Sequence, residues 1–208
     1  MLVHEVMHRN VLTVEPTTPL QEAYRLMQSQ GIRHLPVLDL GQLVGVVTDR
    51  DLRLATSMLA PEPFPPEVQV SKVMVSPVIT AYPEDPVEEA AALMRRHKIG
   101  CLPVLDQDVL VGILTGIDFL DVLIRMTGVE RPGGRLEVLL GARPGELAQL
   151  VEFLASQNVE VHSILTYPAD SVLRAVLRVG TVQTRILAQE LREEGFAVSW
   201  PPEKPWSR

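Results

Sequence analysis

A stretch of 46 residues near the start of the chain occurs twice. Val6–Asp51 aligns without a gap with Val73–Asp118, each position lying 67 residues further on, and 21 of the 46 pairs are identical. Two copies at this spacing do not form a solenoid, which needs at least three short repeats. The sequence therefore predicts two similar units packed about a pseudo-twofold axis, with a shared cleft in two related versions. Polar positions that both copies keep are the first candidates for ligand binding.

Each copy has the pattern of strand, helix, strand, strand and helix. Proline at the start of the first helix and glycine at its end are the usual signals for helix boundaries, and short apolar runs separated by a turn are typical of paired strands. The predicted elements of the first copy are the strand Val11–Val14, a helix from Pro19 to Gly31, the strands Leu35–Leu38 and Leu43–Val47, and a helix from Thr48. Those of the second are Val78–Ala81, Pro86–Met94, Leu102–Leu105, Leu110–Leu114 and a helix from Thr115.

A third region follows the proline- and glycine-containing break at Arg131–Gly134. Its pattern is βαββαβ, the order of a ferredoxin-like domain. The predicted elements are Leu136–Leu140, a helix starting at Pro144-Gly145, the strands Val159–Thr166 and Val172–Val179, the helix Thr184–Glu194 and the strand Phe196–Trp200. The sequence thus predicts an α+β protein with domains at residues 1–60, 61–127 and 135–200, and with a hinge at Gly128–Gly134.

Composition narrows the classes of partner. The net charge of −7 argues against broad nucleic-acid binding, which needs a basic surface. We expect no membrane partner, because no apolar run reaches the length of a membrane span. The first residues have no basic and apolar leader, and the single cysteine, Cys101, fits a reducing compartment as an inert buried thiol. The expectation is a soluble cytoplasmic protein.

Both copies carry Gly-apolar-apolar-Thr-x-x-Asp where a strand meets a helix. The threonine and aspartate are Thr48 and Asp51 in the first copy, and Thr115 and Asp118 in the second. A threonine hydroxyl there could bind a phosphate oxygen, and an aspartate one turn later could accept the hydroxyls of a ribose, as an acidic residue does in dinucleotide folds. The same spacing is also a helix capping box, which needs no ligand. The motif alone leaves both interpretations open.

Over residues 1–127 the chain resembles a tandem CBS pair, or Bateman module. The resemblance rests on Val6-Met7, Thr13 with Pro16, the strand Leu35–Asp39 and the segment Gly45–Asp51, each with its partner 67 residues on. It implies adenosine nucleotide binding (AMP, ADP or ATP), with phosphate and ribose at the Thr and Asp of the motif and adenine near Thr13 and the segment before Pro36. Carried over, one site has Thr13, Thr48 and Asp51, and the other has Thr80, Thr115 and Asp118.

The two copies differ where a ligand would be selected. Arg33-His34 precedes Leu35 in the first copy and Gly100-Cys101 stands at the same place in the second, while Asp49-Arg50 corresponds to Gly116-Ile117. Arginine suits phosphate, so we expect two unequal sites, the first preferring more phosphate charge. Alternatively the two arginines are surface charges and His34 is structural. The candidate residues are Thr13, Arg33, His34, Pro36, Thr48, Arg50, Asp51, Thr80, Cys101, Pro103, Thr115 and Asp118.

Residues 135–200 resemble an ACT domain, a regulatory module that often binds amino acids at subunit interfaces. The resemblance rests on Pro144–Leu147 and Asn158–Val161, although Ala142-Arg143 stands where an acidic residue is common. It therefore implies either an amino-acid site or a dimerisation role. In architecture the whole chain resembles acetoin-utilisation AcuB-type proteins. We also expect a homodimer, from the resemblance and from apolar helix faces that carry Leu20, Ala23, Leu26, Met27, Leu93 and Met94.

No enzyme motif is apparent. The sequence has no P-loop, no glycine-rich dinucleotide fingerprint, no nucleophile elbow and no Cys/His metal spacing, and His4 and His8 lack a third ligand. We expect no catalytic residue, cofactor or metal. Three hypotheses remain: a regulatory protein that senses a nucleotide, an interaction module that only dimerises, and an acetoin-pathway enzyme with an unrecognised site.

Overall fold

The computed structural model describes residues 1–141 and 145–203, and the chain divides into two compact units, Met1–Leu120 and Asp121–Arg208. Pro144, predicted to start a helix, and Ala142-Arg143 lie outside the described residues. In the described part of the chain, no helix has the length and apolar character needed to cross a membrane.

The first unit contains the two sequence copies, each built around one antiparallel hairpin. Both of the long helices begin directly after a proline, and the first ends at Gly31, whose φ of 65° is the left-handed conformation that glycine adopts without strain. The elements are α1 (Leu20–Gln30), β1 (His34–Asp39), β2 (Gln42–Thr48), α2 (Asp49–Ala55), α3 (Val87–His97), β3 (Cys101–Asp106) and β4 (Val109–Thr115), followed by α4 (Asp118–Thr127).

The first predicted strand of each copy is wrong. Val11–Val14 forms only a single parallel bridge, between Val14 and Val37, and Ala81 bridges Val104 in the same way. A proline lies two residues beyond each bridge and has no amide hydrogen to extend the pairing. The helix predicted from Thr115 begins at Asp118, after a turn at Gly116-Ile117, in keeping with the poor helix propensity of glycine.

The apolar helix faces that suggested a dimer are core residues of their own copies. Leu20, Ala23 and Met27 are at most 1% exposed, and Met94 is 6% exposed. They pack against the hairpin of the same copy, and Leu26 and Leu93 pack against the edges of these cores. These faces therefore give no evidence for a homodimer, because one subunit already buries them.

The two copies exchange their N-terminal segments, so that each segment packs on the other copy. Val3 and Met7 belong to the core of the second copy, whereas Val70 and Met74 belong to that of the first. Backbone hydrogen bonds hold the exchange, from Val3 N–H to the Asp85 carbonyl (3.0 Å) and from Val70 N–H to the Thr18 carbonyl (2.8 Å). Met7 packs on Gly112 and Met74 on Gly45, where a side chain in place of the glycine hydrogen would collide with the thioether. Each hairpin therefore carries a segment of the other copy across its surface.

The second unit has the order βαββαβ after the end of α4. Its elements are β5 (Gly134–Leu140), α5 (Glu146–Ser156), β6 (Val161–Ala169), β7 (Val172–Val179), α6 (Thr184–Glu193) and β8 (Ala197–Trp200). The sheet order is β6-β7-β5-β8 with antiparallel neighbours, which is a ferredoxin-like plan. Leu136, Val138 and Leu140 alternate along β5 and share one core with the two helices. Membership of the ACT family stays a prediction.

The opposite side of β5 carries a buried carboxylate, Glu137. Its side chain accepts hydrogen bonds from Arg135, from Arg174 on β7 and from the Ser199 hydroxyl on β8 (3.0 Å). Burial works to raise the pKa of Glu137, but the hydrogen bonds from Arg135 and Ser199, with the charges of Arg135 and Arg174, lower it below its ordinary value. The carboxylate thereby joins three strands.

The segment predicted to be a hinge lies inside this second unit. The Arg178 guanidinium donates hydrogen bonds to the carbonyls of Gly128 (3.4 Å) and Val129 (2.8 Å). A Cβ on Gly133 or Gly134 would collide with the Val179 carbonyl or the Thr184 side chain. These two glycines therefore permit close approach of neighbouring backbone and side chains, a role the sequence analysis did not anticipate.

Candidate functional site

A cavity of about 770 Å³ surrounds the Thr-x-x-Asp motif of the first copy; we call it the first groove. The motif forms one wall, and the exchanged segment and β3 of the second copy form the other. The lining residues are Arg33, His34, Val46, Thr48, Asp49, Arg50, Asp51, Leu54, Val75, Pro77, Val78, Ile79, Lys98, Ile99, Gly100, Cys101 and Pro103. Its volume lies within the range of small-molecule sites.

The capping box of the first copy is formed. One oxygen of Asp51, Oδ2, accepts hydrogen bonds from the Thr48 N–H (2.9 Å) and hydroxyl (2.6 Å), and the Asp51 N–H donates to the Thr48 hydroxyl oxygen (3.2 Å). Among the described residues, the other oxygen, Oδ1, accepts no hydrogen bond. Capping therefore does not exclude a ligand, because it occupies only one oxygen of the carboxylate.

A second cavity, of about 870 Å³, lies beside the motif of the second copy; we call it the second groove. It is lined by His8, Arg9, Asn10, Leu12, Gly31, Ile32, Arg33, His34, Gly100, Ile113, Thr115, Gly116, Ile117 and Leu120. Asp118, only 3% exposed, is not part of this lining. Its Oδ2 accepts hydrogen bonds from the Thr115 N–H (2.6 Å) and hydroxyl (2.9 Å), while Oδ1 lies 2.8 Å from His8 Nε2. Both oxygens are engaged.

Arg33, His34 and Gly100 line both grooves. Burial lowers the pKa of His34; Asp49 and Asp51 oppose this shift and Arg33 reinforces it, so the imidazole is neutral at neutral pH. Its ring packs on Gly100, where an added Cβ would lie 2.6 Å from His34 Nε2. The wall that the two grooves share is thus an uncharged ring in close contact with Gly100.

The first groove has an excess of positive side chains. Arg33, Arg50 and Lys98 line it with Asp49 and Asp51, and Asp49 is paired with Arg53 at 2.7 Å. The thiol in its wall is inert, because burial, with a smaller contribution from Asp51, raises the pKa of Cys101 to about 12. Among the residues that the structure describes, no three metal-ligating side chains are grouped closely enough to hold an ion.

The structure regroups the predicted site residues. Arg33, His34, Thr48, Arg50, Asp51, Cys101 and Pro103 line the first groove, and Arg33, His34 and Thr115 line the second. Thr13 lines a separate cavity beside Glu15 and Arg25, and Pro36, Thr80 and Asp118 line none of the three cavities. Thr13 and Thr48, which were predicted to share a site, therefore line different cavities.

The regrouping follows from the segment exchange. Each groove joins the motif of one copy to the exchanged segment of the other, so that Val75–Ile79 faces Thr48 and His8–Asn10 faces Thr115. Sequence reasoning missed Lys98, His8 and Arg9, because the repeat fixes equivalence between positions and says nothing about which copy a segment packs on.

Residues 3–57 and 70–125, more than half of the chain, match the family described as "CBS domain". A protein of Dictyostelium discoideum named CBS domain-containing protein DDB_G0289609 is 39% identical over 139 residues, which are 61% of this chain and 93% of that protein.

Two solved structures are similar. That of a putative acetoin utilization protein (AcuB) from Vibrio cholerae is 38% identical and has a TM-score of 0.54, with 62% of this chain and 95% of that one covered. The CBS domain pair of protein MJ0100, in complex with 5′-methylthioadenosine and S-adenosyl-L-methionine, is 27% identical with a TM-score of 0.54, over 63% of this chain and 98% of that one.

Proposed function

Because this chain belongs to the CBS-domain family, we propose that its two repeats form a regulatory module that binds an adenosine nucleotide in the first groove. The observation that carries the proposal is that Asp51 lines a groove with an apolar wall and three cationic side chains, while its Oδ1 accepts no hydrogen bond from the described residues. The similar CBS pair that binds 5′-methylthioadenosine and S-adenosyl-L-methionine supports the adenosine class.

Each part of an adenosine nucleotide has a partner in this groove. Asp51 Oδ1 accepts hydrogen bonds from the ribose hydroxyls, as acidic residues do in dinucleotide folds. Arg33, Arg50 and Lys98 supply charge for phosphate. The adenine ring lies against Val78 and Ile79 and the neutral His34, surfaces that suit a flat and mostly apolar base.

The three cations favour a phosphorylated ligand (AMP, ADP or ATP) over an uncharged adenosine. Every phosphate adds negative charge that Arg33, Arg50 and Lys98 are placed to balance. We expect AMP, ADP and ATP to bind more tightly than 5′-methylthioadenosine, which has no phosphate. Isothermal titration of the full chain with these four ligands measures the order directly.

The first prediction concerns Asp51. Asp51→Ala removes the ribose acceptor, so we expect a loss of about 1.5–3 kcal/mol in nucleotide binding, the range for hydrogen bonds to a charged group. Titration of AMP into the full chain measures the loss. Asp118→Ala is the matched control, because it also removes the hydrogen bonds of a Thr–Asp pair but leaves the first groove intact. If Asp51→Ala binds AMP, ADP and ATP as tightly as the unaltered chain, the proposed site is wrong.

The module is proposed to regulate and not to catalyse. The parts 1–60 and 61–127 act as one sensor, since each contributes a segment to the core of the other. The third part, 135–200, is proposed to be an ACT-like domain that receives the signal or binds an amino acid, within a cytoplasmic homodimer. Should titration show no nucleotide binding at all, a ligand-free dimerisation module becomes the better description.

A further inference from the structure

His8 covers the carboxylate of the second motif. Its Nε2 lies 2.8 Å from Asp118 Oδ1, and the side chain of Asp118 is 4% exposed whereas that of His8 is 64% exposed. The backbone of His8 is held on β4 by two hydrogen bonds with Ile113, of 3.0 and 2.9 Å. The imidazole thus lies at the surface with one nitrogen directed at a nearly buried acceptor.

The first copy has the same backbone arrangement without this contact. Val75 occupies the position that corresponds to His8, 67 residues on, and it bridges Val46 as His8 bridges Ile113. Valine has no polar atom to offer Asp51, whose Oδ1 remains free of hydrogen bonds from the described residues. The carboxylates of Asp51 and Asp118 are at equivalent positions but differ in their polar contacts. The cause is the residue that the other copy contributes, which is valine in one case and histidine in the other.

We propose that His8 is a latch that withholds Asp118 from ligand, so that the second groove binds a nucleotide only after His8 is displaced and the first groove fills before it. The inference rests on the proposed function. The second groove has the other requirements, since Arg9 and Arg33 line it beside Thr115. A ribose bound there uses Asp118 Oδ1, which His8 now contacts. Because the contact between His8 and Asp118 must first be broken, its free energy is subtracted from that of nucleotide binding.

The test makes two single substitutions in the full chain, each of which introduces the side chain of the other copy, and measures the binding of AMP. His8→Val should raise the affinity of the second groove by about ten- to a hundredfold, the factor that one hydrogen bond to a charged group contributes, and leave the first unchanged. Val75→His should lower the affinity of the first groove by a similar factor. Valine and histidine each already occur at this position of one copy, so neither exchange introduces a side chain foreign to it.

Titration separates the outcomes. If AMP binds in the first groove and His8→Val changes neither stoichiometry nor affinity, the latch is wrong and the proposed function stands. If neither the unaltered chain nor His8→Val binds AMP, the latch and the proposed function are both wrong.

Discussion

At the scale of single residues, the Thr–Asp pair shows how one motif serves two purposes. Asp51 uses Oδ2 to cap α2 and its Oδ1 accepts no hydrogen bond from the described residues, whereas Asp118 accepts from its threonine through Oδ2 and contacts His8 through Oδ1. The same threonine and aspartate therefore make different hydrogen bonds in the two copies. If the proposed function holds, the hydrogen-bond state of the second carboxylate oxygen sets which copy takes a ligand first.

The second prediction concerns the residue beneath His34. Gly100→Ala places a Cβ 2.6 Å from His34 Nε2, so the ring must move away from the wall that the two grooves share. We expect AMP affinity to fall by about 1 kcal/mol, roughly fivefold, with little loss of thermal stability because the ring moves toward solvent. The control is Gly116→Ala, where an added Cβ meets no atom within 4 Å. Equal AMP affinities for both variants would contradict the role of His34.

At the scale of elements, polar pairs join parts of the chain that lie far apart in sequence. Glu137 on β5 binds Arg174 on β7 and Ser199 on β8, so one carboxylate connects three strands on the side of β5 away from the core shared with α5 and α6. Its pKa is lowered, which means that the ionised form is bound more tightly in the folded sheet than in the unfolded chain.

The third prediction is a pH dependence of the second unit. A carboxylate with a lowered pKa stabilises the fold at pH values above its unfolded pKa of about 4.3, and this stability is lost as the pH falls toward the folded pKa. Glu137→Gln should therefore cost about 1–3 kcal/mol at pH 7 and flatten the loss of stability below about pH 4.3. Urea unfolding followed by tryptophan fluorescence, to which Trp200 on β8 contributes, measures the effect.

The control for this experiment is Glu152→Gln, a change at an exposed position on α5. Its unfolding free energy should match that of the unaltered chain within about 0.5 kcal/mol, as for most surface substitutions. If Glu137→Gln unfolds in acid with the same steepness as the unaltered chain, the network of Glu137 does not contribute to acid stability.

At the scale of the whole molecule, the apolar surface suited to self-association differs from the one the sequence suggested. The faces of α1 and α3 are buried in their own copies, but α4 exposes Leu120, Leu123 and Met126 at 53%, 55% and 46%. These residues recur every third position and so lie along one stripe of the helix. An exposed apolar stripe of this kind is typical of a protein interface.

The fourth prediction is a homodimer that uses this stripe. The chain should sediment as a dimer at micromolar concentration, and the double change Leu123→Glu and Met126→Glu should yield monomers, because it places like charges in an apolar contact. Val182→Glu, at a position 79% exposed outside the stripe, serves as the control and should remain dimeric. Sedimentation of the unaltered chain as a monomer, with or without AMP, would refute the prediction.

The sequence alone determined the features that depend on short stretches of chain. The repeat, the hairpins, the ends of α1 at Pro19 and Gly31 and the βαββαβ order were all predictable, because periodicity, proline and glycine act over a few residues. The hydrogen bonds within each Thr–Asp pair, three residues apart, belong to the same class. The resemblance to a CBS pair rests on the same local patterns and is confirmed by the family match.

Tertiary structure decided which of these local pieces meet. Nothing in the repeat indicates that residues 3–7 pack on the second copy, or that His8 lies on Asp118, 110 residues away. Such contacts depend on how the two copies bury their apolar surfaces against each other. This burial involves residues from the whole core and cannot be read from a short stretch of sequence. The two equivalent motifs therefore lie in different surroundings, because each is completed by a segment of the other copy and those segments differ in sequence.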